Sequence, residues 1–393
     1  MNEPELLTRT LVCIGAQTYR RFKVYICVNQ PEGWWKDPSK KPVCDNNHQT
    51  LDMLRSVKGF DMEVLDYSSI GKGWKGKRHG IGQARKVLMD EITKLAGPED
   101  YIISMDADTT FTEDYFLSIA NNFNEHPEAV ALSVPYFHLR VEDEKATRAI
   151  LRYEIYMRHY FLNLGRIGSP FAFTALGSAM AFPVWAYRAT GGMAPKLSGE
   201  DFYFLQKLRK FGNLLLWNDV IVYPEARFSD RVFFGTGPAM IKGGAGDWSS
   251  YPVYPISLFN DLLETYLLLP LFYFETLENN VVRFLKEVTK EKDPFQLLRE
   301  NHKDLEHFTR AFHEKLDGLR ILQFLKTMNS DTGITDEVNL RHFFMTYYPE
   351  AEARLSISWD HFSFQNATLL DLEKIRSFLF EKEMEFRFNS VFP

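Results

Sequence analysis

Residues 101–111 read YIISMDADTTF. Tyr101 to Met105 are apolar apart from Ser104, as in a buried strand, and two aspartates one residue apart, Asp106 and Asp108, follow directly. In extended backbone, residues i and i+2 point to the same side, so the spacing predicts two carboxylates converging at the strand's carboxyl end. Ligands of open α/β sheets gather at that edge. Two close carboxylates repel unless a cation lies between them, and all-oxygen ligation suits Mg²⁺ or Mn²⁺. A structural reading competes with this one, in which an aspartate opens a turn ahead of a helix near Glu113.

On both sides of this stretch, strands and helices alternate. Residues 4–17 carry Leu7, Leu11 and Ile14 at helical spacing, with Pro4 in the opening turn. FKVYICVN (22–29) predicts a buried strand, and residues 62–66 a short one. Between them, PEGWWKDPSKKPVCDNNHQT is rich in turn formers and predicts a long loop. Ile81, Ala84, Leu88, Ile92 and Leu95 predict a helix that stops at Gly97-Pro98. The alternation implies an α/β fold with a largely parallel sheet. Beyond about residue 255, helical patterns dominate, as in 316–328 and 369–380. The expected domains are 1–255 and a mainly helical 256–393.

The chain has 393 residues, 45% hydrophobic and 25% charged, enough to bury a sizeable core. A net charge of −6 argues against a general nucleic-acid binder. Cys13, Cys27 and Cys44 are irregularly spaced and form no CxxC, which suits a reducing cytoplasm better than a disulfide framework. The first residues lack the pattern of a signal peptide. Residues 167–187 carry no charge and are long enough to span a bilayer, but their prolines, glycines and small polar residues favour loops and short strands in a globular core. LLLPLFYF near residue 270 is too short to span a membrane and long enough to rest on one.

Two further segments carry chemistry. IGKGWKGKRHGIGQARK interleaves glycines with cations, and Gly71, Gly76 and Lys77 satisfy G-x-x-x-x-G-K. Arg78 stands where a phosphate loop needs Ser or Thr, so what survives is a basic, glycine-rich approach to phosphates, against the alternative of a solvated loop. In LSGEDFYFLQKLRKFG, Leu205, Leu208 and Phe211 with Gly212 predict a helix over 200–211. Ser198 and Asp201 match a capping box, and a carboxylate at that place also suits a general base. YPEARFSDRVFFGTGPAMIKGGAGDW combines Arg227 and Arg231 with glycines, as a surface loop or a lid over an anion.

An apolar strand followed by Asp-x-Asp-x-Thr resembles the nucleophile motif of haloacid dehalogenase-type phosphatases, in which Asp106 would be phosphorylated, although no later GDxxxD-type motif is present. The ordered set NEPELL, QTYRRFKVYICVN, GKGWKGKRHGIGQAR, MDAD, GSAMAFPVWAYRATGGM, SGEDFYFLQKLRKFG and YPEARFSDR resembles family 2 glycosyltransferases of the GT-A fold over about residues 2–240. The resemblance implies a metal-dependent, inverting enzyme using a nucleoside-diphosphate sugar and a saccharide or lipid-linked acceptor, without nucleic acid. It places Asp106 near the ribose and the metal, makes Asp108 the main protein ligand of Mg²⁺ or Mn²⁺, and sets Lys77 and Arg85 against the nucleotide. Asp201 becomes the catalytic base with Glu200 beside it, and Arg227 or Arg231 faces the departing diphosphate. The implied location is cytoplasmic, with peripheral contact at the inner face of the membrane. A catalytically silent nucleotide-sugar binder or scaffold is the alternative of another class. Two departures from the family stand out. Its first, central strand would precede Asn2-Glu3, which implies a start upstream of Met1 or a truncated form; upstream DNA encoding no apolar strand would refute this. VNQPEGWW also lacks the acidic residue with which many relatives read the base, leaving Asn29 and Gln30 as its substitutes.

Overall fold

The computed structural model describes residues 4–76, 79–229, 235–330 and 333–390. The chain forms two compact units, Met1–Ile150 with Thr174–Ala245 and Arg387–Pro393, and Leu151–Phe173 with Gly246–Phe386. The expected single cut near residue 255 contrasts with units that interleave along the chain.

The first unit is mixed α/β. Helix α1 (Pro4–Gly15) leads to β1 (Lys23–Asn29), α2 (Lys41–Ser56), β2 (Asp61–Tyr67), α3 (Ile81–Leu95) and β3 (Tyr101–Ser104). Then come β4 (Thr109–Thr110), α4 (Tyr115–Glu125), β5 (Ala131–Ser133), and α5 (Glu144–Arg166), which runs on into the second unit. Strand β6 (Met180–Pro183), α6 (Val184–Ala189), α7 (Glu200–Phe211), β7 (Leu214–Leu215), β8 (Tyr223–Pro224) and α8 (Thr236–Gly244) complete it.

The expected long loop over 31–50 is corrected, because its second half is helix α2. Cys44, Asn47, Leu51 and Leu54 are buried at helical spacing, and a buried asparagine in place of an apolar residue disguises the period.

β1 and β2 pair in parallel, from Lys23 opposite Asp61 to Asn29 opposite Tyr67. A four-stranded sheet has the order β3-β6-β5-β7, and β4 pairs with β8. The expectation of largely parallel strands is also corrected: β6 runs antiparallel to both β3 and β5, and only β5 and β7 are parallel within that sheet. Among the described residues no strand bridges β1 and β3, so the central first strand implied by the resemblance has no counterpart there.

One core joins the β1–β2 pair to the four-stranded sheet. Leu7, Leu11 and Ile14 of α1 share it with Val24 and Val28 of β1, Leu132 of β5 and Ala181 of β6. Thr10 of α1 donates from Oγ1 to the carbonyls of Ala107 (3.1 Å) and Thr109 (3.0 Å), pinning the turn that carries the aspartate pair. Asn218 acts as a polar hub. Its Oδ1 accepts from Ser118 Oγ (2.8 Å) and Asn122 Nδ2 (2.9 Å), while its Nδ2 donates to Val220 O (2.7 Å). Asn218→Leu would leave buried polar groups on α4 without this partner. It should lower unfolding free energy by about 1–3 kcal/mol in urea titration; an unchanged midpoint would show that the hub is dispensable.

The second unit is helical. It contains α9 (Ile256–Leu267), α10 (Leu269–Phe272), α11 (Asn280–Thr289), α12 (Gln296–Asn301), α13 (Leu305–Lys315), α14 (Gly318–Asn329), α15 (Asp336–Tyr347), α16 (Glu350–Leu355) and most of α17 (Leu369–Asn389). Tyr254, Phe259, Phe272 and Phe312 are fully buried in it. Buried Arg158 pairs with Glu383 and with Glu154 (2.9 Å), and Arg376 reaches Glu154 at 3.2 Å, so these interior charges compensate one another. Among the described residues no helix is long and apolar enough to cross a membrane. Residues 167–187 instead include β6 and the start of α6.

Candidate active site

Strand β3 ends at Ser104, and Asp106 to Asp108 form a turn into β4 rather than a continuation of the strand. The expected i, i+2 convergence in extended backbone is therefore replaced by a turn that gives each carboxylate its own arginine. Asp106 Oδ1 accepts from Arg85 Nη2, and Asp108 Oδ2 accepts from Arg227 Nη2 at 2.5 Å. The backbone just past β8 supports this arrangement, since Glu225 N donates to Asp108 O at 3.1 Å and brings Arg227 alongside.

Arg85 sits one turn into α3, in a helix that approaches α7 closely because residue 82 is glycine. A Cβ there would lie 2.1 Å from Lys196 O and 3.3 Å from Glu200 Cβ. The buried Arg85 guanidinium binds Asp106 through Nη2 and Glu200 through Nη1. It lies over Gly177, where a Cβ would be 2.0 Å from Nη2, and Gly177 in turn is held to β3 by Ser104 Oγ donating to its carbonyl (2.7 Å). Burial works against the guanidinium's charge, but the Asp106 and Glu200 carboxylates outweigh it and push its pKa up, so Arg85 remains a cation.

Helix α7 begins at Glu200, as expected from its periodicity, but its capping differs. The N-cap is Gly199 at φ +67°, a left-handed conformation that glycine adopts without strain. Asp201 Oδ1 accepts from the next backbone N–H, that of Phe202, at 2.7 Å. The S-x-x-D pattern is thus not what starts the helix. Burial and then the neighbouring Glu200 charge push the Asp201 carboxyl up to about 6, with Arg85 pulling the other way. A carboxylate poised there is a competent proton acceptor near neutral pH.

The glycine loop holds a carboxylate of its own. Gly71 N and Gly73 N donate to Glu32 Oε1 (2.9 Å) and Oε2 (2.8 Å), so the amides expected to face phosphates are satisfied internally. Trp74 stacks on Tyr67 at 4.0 Å and donates from Nε1 to Asn29 Oδ1 at 3.1 Å. Gln30 is fully buried, donating to Cys44 Sγ (3.1 Å) and accepting from Asn47 Nδ2 (2.7 Å). It is therefore a scaffold residue rather than a reader of the base. Lys77 and Arg231 lie outside the described residues. Glu32 was missed as a loop organiser, although a lone acid following proline at the end of a strand was visible in the sequence.

The implied cation suits this chemistry. Asp106 and Asp108 are hard oxygen donors, and both already hold positive groups, the two guanidinium ions. Among the described residues no cluster of three His, Cys, Asp or Glu side chains is placed to hold a metal unaided. Diphosphate oxygens and water would complete the coordination of a bound ion.

Residues 101–241 match the model of the glycosyl transferase family group 2. Over these residues the chain is similar to the family 2 glycosyltransferases. The match begins at β3 and contains Asp106, Asp108, Glu200, Asp201 and Arg227. It therefore favours the transferase over the phosphatase, and with the mixed α/β sheet it gives the expected GT-A fold class and a glycosyltransferase enzyme. No curated protein matches the chain.

Proposed function

We propose that the enzyme transfers a sugar from a nucleoside-diphosphate sugar to the hydroxyl of a saccharide or lipid-linked acceptor, with inversion and dependence on Mg²⁺ or Mn²⁺. The observation that carries this reading is the pair of bonds from Arg85. They bring the Asp106 turn and the Glu200-Asp201 pair, nearly a hundred residues apart in sequence, into one buried cluster. Asp201, with Glu200 beside it, takes the proton from the acceptor hydroxyl as that oxygen attacks the anomeric carbon from the face opposite the diphosphate. Asp106 and Asp108 hold the cation, which when bound supplies charge to the departing diphosphate. Arg227 leaves Asp108 to meet the same oxygens, with Arg231 and Lys77 assigned to the nucleotide side.

The test is incubation of the protein with UDP- and GDP-sugars and Mn²⁺ or Mg²⁺, following nucleoside diphosphate release and the anomeric configuration of the product. Metal-stimulated release with inverted product supports the proposal. Retained configuration, or no release across donors and acceptors, overturns it. A cytoplasmic place at the inner membrane face belongs to the same proposal and is supported by exposed Leu267 at the end of α9, Leu271 in α10 and Phe274 in the turn after it. Failure to co-sediment with anionic vesicles would remove that part.

A further inference from the structure

The resemblance gives Arg85 to the nucleotide, but its geometry points elsewhere. We propose that Arg85 is a positioning residue, a buried fork that ties the donor-side turn at Asp106 to the first turn of α7 and so holds the proton acceptor Asp201 at a fixed place relative to the donor. The inference rests on the transferase reading above and deepens it.

Several independent features commit Arg85 to this place. Its side chain is only 7% exposed, and both terminal nitrogens are engaged, one by each acid. Glu200, 3% exposed, meets the cation through Oε1 and stands next to Asp201 in the first turn of α7. Glycines flank the arrangement on two sides. Gly82 lets α3 approach the segment before α7, and Gly177 leaves a flat bed for the guanidinium, which any Cβ would displace. Such a fork is rigid where a lysine would be a flexible point charge, so it transmits position as well as charge. The charged groups acting on Asp201 are Glu200, Asp106 and Arg85, and Arg85 is the cation among them.

A nucleotide contact and a positioning fork differ in what their loss does. Removing a contact made equally in ground and transition states raises KM and leaves kcat unchanged, whereas misplacing the base lowers kcat. Arg85→Gln should therefore reduce kcat on the order of 10- to 100-fold, with nucleoside diphosphate affinity by calorimetry within about threefold of wild type. The rising limb of its pH profile should move to higher pH, because Asp201 loses its cationic neighbour. Arg85→Lys, which keeps the charge but not the fork, should restore the position of the limb while recovering only part of kcat. Gly177→Ala keeps every charge and displaces the guanidinium, so it should lower kcat without weakening nucleotide binding; it also serves if Arg85→Gln fails to fold by circular dichroism. Weakened nucleotide binding with unchanged kcat in these variants would return Arg85 to the nucleotide and overturn the proposal. Unchanged kcat, affinity and pH profile would overturn it equally. A wild-type protein without transferase activity would instead sink the underlying reading, and the two failures are thus distinguishable.

Discussion

Asp201→Asn should lower turnover on the order of 10²- to 10⁴-fold, the usual range for removing a general base, while donor binding stays near the wild-type value. The substitution changes little else. Asparagine keeps a side-chain oxygen at the place where Asp201 Oδ1 accepts from Phe202 N, so the first turn of α7 retains its hydrogen bond. The wild-type carboxyl, pushed up to about 6 by burial and by Glu200, must be ionised to accept a proton. Transfer should accordingly rise with pH through about 6 and level off above it. Stability runs the other way. A folded pKa above the ordinary aspartate value means that ionisation disfavours the native state. The penalty is absent well below the ordinary value, grows as pH rises to about 6 and is fully present above. Asp201→Asn removes it, so the variant should melt higher than wild type at pH 7.5 and not at pH 4. Wild-type turnover in the variant, or a pH profile lacking the limb near 6 in the native enzyme, would remove Asp201 from the base role.

How much of this was visible in the sequence varied with the distance over which the deciding interaction acts. Helix α7 was legible to its ends because Leu205 and Leu208 are buried at helical spacing and Gly212 follows the last turn. Strand β1 was legible as an apolar run. Helix α2 was not, since its buried face includes Asn47, which is paired with Gln30 across the core. Antiparallel β6 between β3 and β5 was also hidden, because strand order depends on contacts that span some 50–80 residues. The candidate acids were picked out by type and spacing. Their mutual arrangement was not, because Arg85 closes a run of cations that reads as solvent- or phosphate-facing, and only the fold shows it buried between two carboxylates. Glu32 illustrates the same limit: the partners of a loop amide are settled by tertiary packing, which local composition does not encode.

Asp108→Asn should abolish the Mn²⁺-dependent gain in nucleoside diphosphate affinity and lower turnover on the order of 10²- to 10³-fold, the scale of losing one electrostatic stabiliser of a developing negative charge. The turn that carries Asp108 does not depend on its side chain. Thr10 holds the carbonyls of Ala107 and Thr109, Glu225 N holds the Asp108 carbonyl, and β4 pairs with β8 just beyond. An isosteric amide there should fold as the wild type does. What disappears is the charge that attracts a cation. That charge is matched by Arg227, whose guanidinium lies 2.5 Å from Oδ2. Asp108 is only 14% exposed, so a cation and Arg227 compete for the same carboxylate. In Asp108→Asn, metal-free nucleoside diphosphate should bind within about threefold of wild type while Mn²⁺ no longer helps. Calorimetric titrations of UDP and GDP with EDTA and with Mn²⁺ give both quantities. Metal stimulation that survives the substitution would take the cation away from Asp108, and strongly weakened metal-free binding would show that the substitution disturbs more than the metal.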